Sequence, residues 1–501
     1  MLFYSFEFLF LFLPAVLGIF FYTEVRFGRR AAIIVLVLSS LIFYGSWNPV
    51  FVPILCASVV TNYFLGCFLQ GRPSKALLWA GVGANLALLG YFKYAGFFLG
   101  VVNAVADTHW QMQKVVLPLG ISFYTFQQIS WLVDSYAAEV DTRKEGFWRY
   151  ALFVCFFPHL VAGPLVDHSE MMPQFSKDSN FKPKWSSLAI GISIFVIGLA
   201  KKVILADEFG ATATPVFADA AHGLVPFSSA WLAALCYTFQ VYFDFSGYSD
   251  MAVGLARMFN IRLPMNFNSP FKAASIIDFW KRWHMTMTRF FQTYIYTPLS
   301  VSLMRRKSRR GARGGDSAIY IATMATLLAI GLWHGANWTF VIFGLLQGIA
   351  IILNYLWRAS RKRRNLPLLH PVAGIAMTYL FFTLCCVIYR SADLGMAWNM
   401  YRSMFAPETL VAFKFMPEKV ALWFGGAIIC FYMPNTQQIM RSYSPVLDLR
   451  NIQAVARSKF LDKIQWRPSV ACSLAILCLY FLSLDILLDA NRVQEFIYFQ
   501  F

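Results

Sequence analysis

One of the chain's seven histidines stands where an imidazole is costly. Gly331-Leu332-Trp333-His334-Gly335-Ala336-Asn337-Trp338 forms the turn of an apolar stretch of about 40 residues, bracketed by the basic clusters Arg305–Arg313 and Arg358–Arg364. Ser317 to His334 is 18 residues, or roughly 27 Å of helix at about 1.5 Å per residue. Ionisable side chains at that depth in a bilayer are expensive, which makes them functional candidates. An imidazole with an ordinary pKa of about 6.5 can accept a proton near neutral pH, and burial disfavours its charged form. Asn337, three residues on, shares the face of His334 if the helix continues. The competing reading is structural: a histidine bonded to a backbone carbonyl, or an interfacial one beside two belt tryptophans.

A second constellation reads Asp278-Phe279-Trp280-Lys281-Arg282-Trp283-His284. As one helix it puts Trp280, Trp283, His284, Met287, Phe291 and Tyr294 on one face, and Lys281, Arg282, Arg289 and Gln292 on the other. That pattern suits a basic amphipathic helix in the headgroup region, with His284 as a passenger. The functional alternative is an entrance where His284 meets His334. A third segment runs from Gln240 to Asp250. Its carboxylates Asp244 and Asp250, six apart, fit either an acid/base pair or a polar network between helices. The network is favoured, because both acids end an apolar run where water is in reach. Its Gly and Ser spacing is not a nucleophile elbow.

Phe157-Pro158-His159-Leu160-Val161-Ala162-Gly163-Pro164 breaks a helix, with His159 as a structural contact. His109, His168, His222 and His370 fall in expected loops and carry no functional expectation. No zinc-protease, Walker or dinucleotide-binding pattern occurs, and no metal site is expected.

The elements that must position these residues are membrane helices. Of 501 residues, 58% are hydrophobic and 14% charged, against about 45–50% and about 25% in soluble domains. The 50 Phe, 23 Tyr and 15 Trp suit lipid-facing surfaces and interfacial belts. The net charge of +18 lies in short loops between apolar runs, which marks cytoplasmic loops rather than nucleic-acid binding. The nine cysteines lie mostly in apolar runs without C-x-x-C spacing, as packing residues do. The first apolar run, Phe8 to Phe21, follows Glu7 and lacks a cleavage site, so a first transmembrane helix is expected rather than a signal peptide. Arg26, Arg29 and Arg30 place the loop after it in the cytoplasm.

Apolar segments near 2–22, 31–47, 49–69, 76–101, 115–135, 147–165, 186–206, 225–246, 317–334, 336–357, 371–389, 419–434 and 469–488 give an all-α polytopic protein. Roughly 11 crossings, give or take two, are expected. Broken helices at membrane depth need protein or a water-filled cavity around them, so re-entrant pieces are expected as well. Residues 441–467 read as a polar, basic loop. The whole chain, 1–501, reads as one membrane domain.

In order, Tyr91-Phe92-Lys93-Tyr94, Leu117–Phe126, Phe157–Pro164, Tyr242–Gly254, Phe279–His284 and Leu332–Asn337 resemble the motifs of the membrane-bound O-acyltransferases. These motifs occupy about 90–350, and the first and last residues also look like the bacterial alginate O-acetylation branch. The resemblance implies helices around a central tunnel or funnel, and transfer of an acyl group, usually acetyl, to a hydroxyl. The family's histidine falls on His334, as general base, and its second polar position on His284. Asn337, Trp333, Trp283, Asp244 and Tyr248 are the expected substrate- or tunnel-lining residues.

Acetyl-CoA is the expected cytoplasmic donor, with no bound cofactor. The expected setting is a bacterial inner membrane, beside a periplasmic acetyltransferase and polysaccharide synthesis or secretion machinery. One departure is visible: relatives that modify alginate often have Trp-His-Gly where this chain has Leu346-Gln347-Gly348. That speaks against alginate itself as acceptor, and implies that His334 and His284 suffice for the chemistry. D-alanyl transfer to teichoic acid is the alternative within the family. A transporter or flippase is the alternative outside it, although no inverted repeat is visible.

Overall fold

The computed structural model describes residues 1–113, 115–309, 316–412, 416–447, 464–489 and 496–497. Among them the regular structure is helical, with no strand. In chain order the helices are α1 (Glu7–Phe27), α2 (Arg29–Gly45), α3 (Val52–Gly71), α4 (Lys75–Ala106), α5 (Ile121–Tyr136), α6 (Thr142–Cys155), α7 (Phe157–Leu160), α8 (His168–Phe175), α9 (Trp185–Ala220) and α10 (Phe227–Met258). They continue with α11 (Ile276–Trp280), α12 (Met285–Phe291), α13 (Thr297–Arg309), α14 (Asp316–His334), α15 (Trp338–Arg363), α16 (Pro371–Arg390), α17 (Leu394–Phe405), α18 (Pro417–Phe431) and α19 (Val470–Leu488). Length and apolarity suit eight of the described helices to crossing a bilayer: α1, α3, α4, α9, α14, α15, α16 and α19. Arg313 and most of the polar stretch 441–467 lie outside the described residues.

Local chemistry sets many helix starts. The side chains of Asp141, Asp167, Ser275, Asn337 and Asp393 each accept a backbone N–H of the first turn that they precede. Such caps satisfy donors that have no partner inside the helix. Pro371 opens α16, where its missing N–H costs nothing.

The chain forms two compact units that alternate along the sequence. The first comprises Met1–Leu199, Tyr248–Pro264 and Thr436–Leu477. Within it α5 is buried almost throughout, although it carries Gln127, Gln128, Ser130 and Asp134. Ser130 Oγ donates to the Gln127 carbonyl of its own helix, and Gln127, Gln128 and Asp134 are met from neighbouring elements. Ser58 Oγ donates to Gln128 Oε1 at 2.7 Å, Asn85 Nδ2 donates to Asn62 Oδ1 at 2.7 Å, and Asn62 also bonds Gln128. His159 Nδ1 lies 3.3 Å from Gln127 Nε2, the structural contact that its motif suggested.

His168 is a correction. It opens α8 rather than lying in a loop, and it is buried with Nε2 at 2.8 Å from Asp134 Oδ2 and 3.9 Å from Asp167 Oδ1. Burial works against its charged form. The Asp134 hydrogen bond, with the charges of Asp167, Asp134 and Glu145, outweighs burial and raises the pKa above the ordinary value.

The second unit comprises Ala200–Gly247, Met265–Asn435 and Cys478–Phe501. Here α14 and α15 form a tight hairpin. A β-carbon on Gly344 would strike the backbone oxygen of Leu327, and one on Gly331 would strike that of Phe340. Hence glycine stands at both points. In the same unit Lys202 Nζ sits 2.7 Å from Asp207 Oδ1 and 2.8 Å from Asp244 Oδ1, and Asp244 Oδ2 accepts the Ile497 N–H at 2.9 Å. Asp250, in the first unit, accepts from Thr436 Oγ1 and Gln437 Nε2, each at 2.6 Å. The two carboxylates therefore serve separate networks. Both are buried inside the 32-residue α10, not at a water-exposed end, because α10 continues past the apolar run that the sequence displays.

Two outcomes follow. Gly344→Val should destabilise the purified protein by about 1–3 kcal/mol, read as a lower midpoint of thermal unfolding; an unchanged midpoint overturns the close-approach account. The His168 pair stabilises the fold fully below the unfolded imidazole pKa, about 6.5. That contribution is lost as pH rises through the higher folded value. Thermal stability should fall across that window in the parent protein, and this component of the slope should vanish in His168→Gln.

Candidate active site

His334 is the last residue of α14, and it is buried. The helix stops there. Asn337 instead starts α15, its Oδ1 accepting the Thr339 N–H at 3.2 Å and its Nδ2 donating to the Ala392 carbonyl at 2.6 Å. The shared helical face expected for His334 and Asn337 is therefore not formed, since capping α15 turns the asparagine to that task. The group that holds His334 is Tyr389, near the end of α16, whose hydroxyl lies 3.2 Å from Nδ1. Tyr389 packs on Phe340 and Phe343 of α15, each with ring centroids 5.1 Å away.

His284 belongs to the segment between α10 and α13, which is not one amphipathic helix. After α11 the chain turns, and His284 takes the left-handed conformation, φ 44° and ψ 51°, before α12 begins. Two backbone hydrogen bonds impose the break: Asn268 N–H to Arg282 O and Met285 N–H to Asn266 O, both 2.9 Å. A non-glycine residue in that region costs about 1–3 kcal/mol, and such strain concentrates at functional sites. The aromatic and basic sides survive the break, with Trp280 and Trp283 buried and Lys281 exposed. The histidine itself is fully buried, not interfacial.

His284 Nδ1 lies 3.1 Å from Asn266 Oδ1, which also accepts the Thr286 hydroxyl at 2.9 Å and the Thr286 N–H at 3.4 Å. A backbone N–H can only donate, so it fixes the asparagine oxygen toward this group. Nδ1 of His284 must then carry the proton, and in the neutral ring the lone pair is on Nε2. Burial first, and the proximity of His334 second, hold the His284 pKa well below the ordinary imidazole value.

Trp333 joins the two histidines. Its ring lies 4.9 Å from that of His334 and 5.6 Å from that of His284. Phe245 closes another side, edge-on to His284 at 4.6 Å. Trp283 stands one ring further out, against Phe267, which flanks His284. Of the expected residues, the structure brings His334, His284 and Trp333 together, with Trp283 behind them. Asp244 is held by Lys202, and Tyr248 stacks on Phe3.

Sequence reasoning missed Tyr389 and Asn266. Tyr389-Arg390 ends an apolar run and reads as a belt aromatic with its flanking charge, while Asn266 has no motif around it. At the departure from the alginate pattern, buried Gln347 accepts the indole N–H of Trp280 at 3.1 Å. The arrangement provides two imidazoles, each with one nitrogen held by protein, inside aromatic walls. Such a site can take a proton from a hydroxyl and exclude water while doing so.

Residues 137–392 match the family model of the membrane-bound O-acyltransferases, a span that includes both histidines and Tyr389. The chain is 40% identical to a peptidoglycan O-acetyltransferase of Helicobacter pylori, over 74% of this chain and 73% of that protein. It is 32% identical to a probable alginate O-acetylase AlgI of Azotobacter vinelandii over the full length of both. A teichoic acid D-alanyltransferase of Streptococcus thermophilus is 27% identical over 50% of this chain and 60% of its own. The chain is a multi-pass membrane O-acyltransferase and belongs to the membrane-bound O-acyltransferase family.

Proposed function

We propose that this enzyme moves an acetyl group from a cytoplasmic thioester, acetyl-CoA, across a bacterial inner membrane for O-acetylation of a secreted or cell-wall glycan. The observation that carries this reading is the buried His334, with Nδ1 against Tyr389 and its ring joined through Trp333 to His284. In the proposed step His334 Nε2 takes the acceptor's hydroxyl proton as the oxygen attacks the thioester carbonyl. The C–S bond breaks, and the thiolate leaves with that proton. Tyr389 accepts from Nδ1–H, which keeps the lone pair on Nε2. His284, with its Nδ1–H directed to Asn266, can only accept at its other nitrogen, so it suits binding a hydroxyl of the acceptor other than the reacting one, whose single proton goes to His334, and it cannot polarise the carbonyl.

The similarity to a peptidoglycan O-acetyltransferase and to alginate O-acetylases supports acetyl as the group and a polysaccharide as its destination. An extracytoplasmic acetyltransferase would complete delivery to the polymer. D-alanyl transfer has weaker support, from a less similar relative matched over half of this chain.

With the protein in nanodiscs and radiolabelled acetyl-CoA, His334→Ala should lower transfer by about 10²–10⁴-fold. Full transfer by that variant sinks its role, and absence of label from any product in the parent protein sinks the donor. Tyr389→Phe should lower kcat roughly tenfold, about 1.4 kcal/mol, and shift the pH–rate profile. An unchanged profile would show that the tyrosine only packs.

A further inference from the structure

A cavity of about 620 Å³ lies beside α15 and α16 in the second unit, and neither histidine lines it. Small-molecule sites span about 300–1,000 Å³, so it has room for a ligand. Leu346, Ala350 and Leu353 of α15 face Gly374, Met377 and Phe381 of α16 across it. These positions recur at three and four residues, so each helix contributes one continuous apolar stripe. Leu353 and Met377 are 59% and 64% exposed, which leaves the cavity open sideways as a groove.

The groove has a polar end. Arg358 lines it and donates to Ser275 Oγ at 3.2 Å. Arg361, Lys362 and Arg363 follow in the last turn of α15. Asn354, one turn below Arg358, also lines the groove, and its buried Oδ1 has no hydrogen-bond partner among the described residues. From Leu346 to Arg358 the helix rises about 18 Å at about 1.5 Å per residue. One leaflet of hydrocarbon is half of a core about 30 Å thick. The groove is therefore one leaflet deep, with cations at headgroup level and an amide where glycerol esters and their water lie.

We propose that this groove is a specific site for an anionic phospholipid of the leaflet on the basic side, with one acyl chain between α15 and α16 and its phosphate on Arg358. Charge complementarity selects the headgroup, and the sideways opening admits the chain from the membrane. The same two helices carry Phe343 and Tyr389 at His334, so the lipid would lie between the helices that frame the site. The inference does not depend on which acyl donor or acceptor the enzyme uses.

The test is native mass spectrometry of the full chain carrying phosphatidylglycerol or phosphatidylethanolamine of identical acyl chains. One phosphatidylglycerol per chain should be retained about fivefold better, the effect of one arginine near a membrane surface. Arg358→Ala should remove that preference. Leu353→Trp, which fills the groove at an exposed position and leaves every charge in place, should abolish retention with an unchanged melting midpoint. Equal retention of both lipids, or unaltered retention in Leu353→Trp, overturns the site. Displacement of the lipid by inorganic phosphate alone, or by acetyl-CoA, also overturns it, by assigning the groove to a bare anion or to the acyl donor.

Discussion

The hydrogen bond between Tyr389 and His334 depends on how closely α14 and α15 approach. A buried imidazole can act as a base only if one nitrogen is held and the other is presented to a substrate. The tyrosine does the holding, from α16, and its ring is set by Phe340 and Phe343 of α15. Those rings reach it because Gly331 and Gly344 let the two backbones meet. A single methyl group at that crossing would push apart the helix that carries His334 and the helix whose rings set Tyr389.

The same shortage of water governs the rest of the molecule. Hydrocarbon offers no hydrogen-bond partner, so polar groups in spanning regions must be satisfied inside the protein. Lys202 answers Asp207 and Asp244, and the amides of Asn62, Asn85 and Gln128 answer one another. Removing one member of such a set leaves its partner desolvated and alone, which costs more than the pair contributes. These sets hold helices. What separates the histidine pair from them is its aromatic setting and the left-handed backbone at His284.

That strained turn shows how a short break can create a site. An uninterrupted helix through 278–294 would present His284 at a surface among tryptophans. The break, pinned by backbone bonds to Asn266 and Asn268, turns the ring inward to Phe245 and Trp333. Asn266 then fixes the position of its proton. One segment supplies the backbone constraint and the tautomer together.

The sequence by itself determined the helical membrane class and the hairpin that turns at His334, and it singled out the segment that ends at His284 as a candidate. Hydropathy, helical period and short motifs are local properties, and a reader of the chain has all of them. Only the tertiary structure decided the partners. Tyr389 lies 55 residues from His334, Asn266 lies 18 from His284, and Asp134 lies 34 from His168. The break at His284 and the capping role of Asn337 were equally hidden, since both turn on whether a helix continues. Continuation is settled by backbone bonds to other segments and by the packing of whole helices, and neither is written in the residues next to the site.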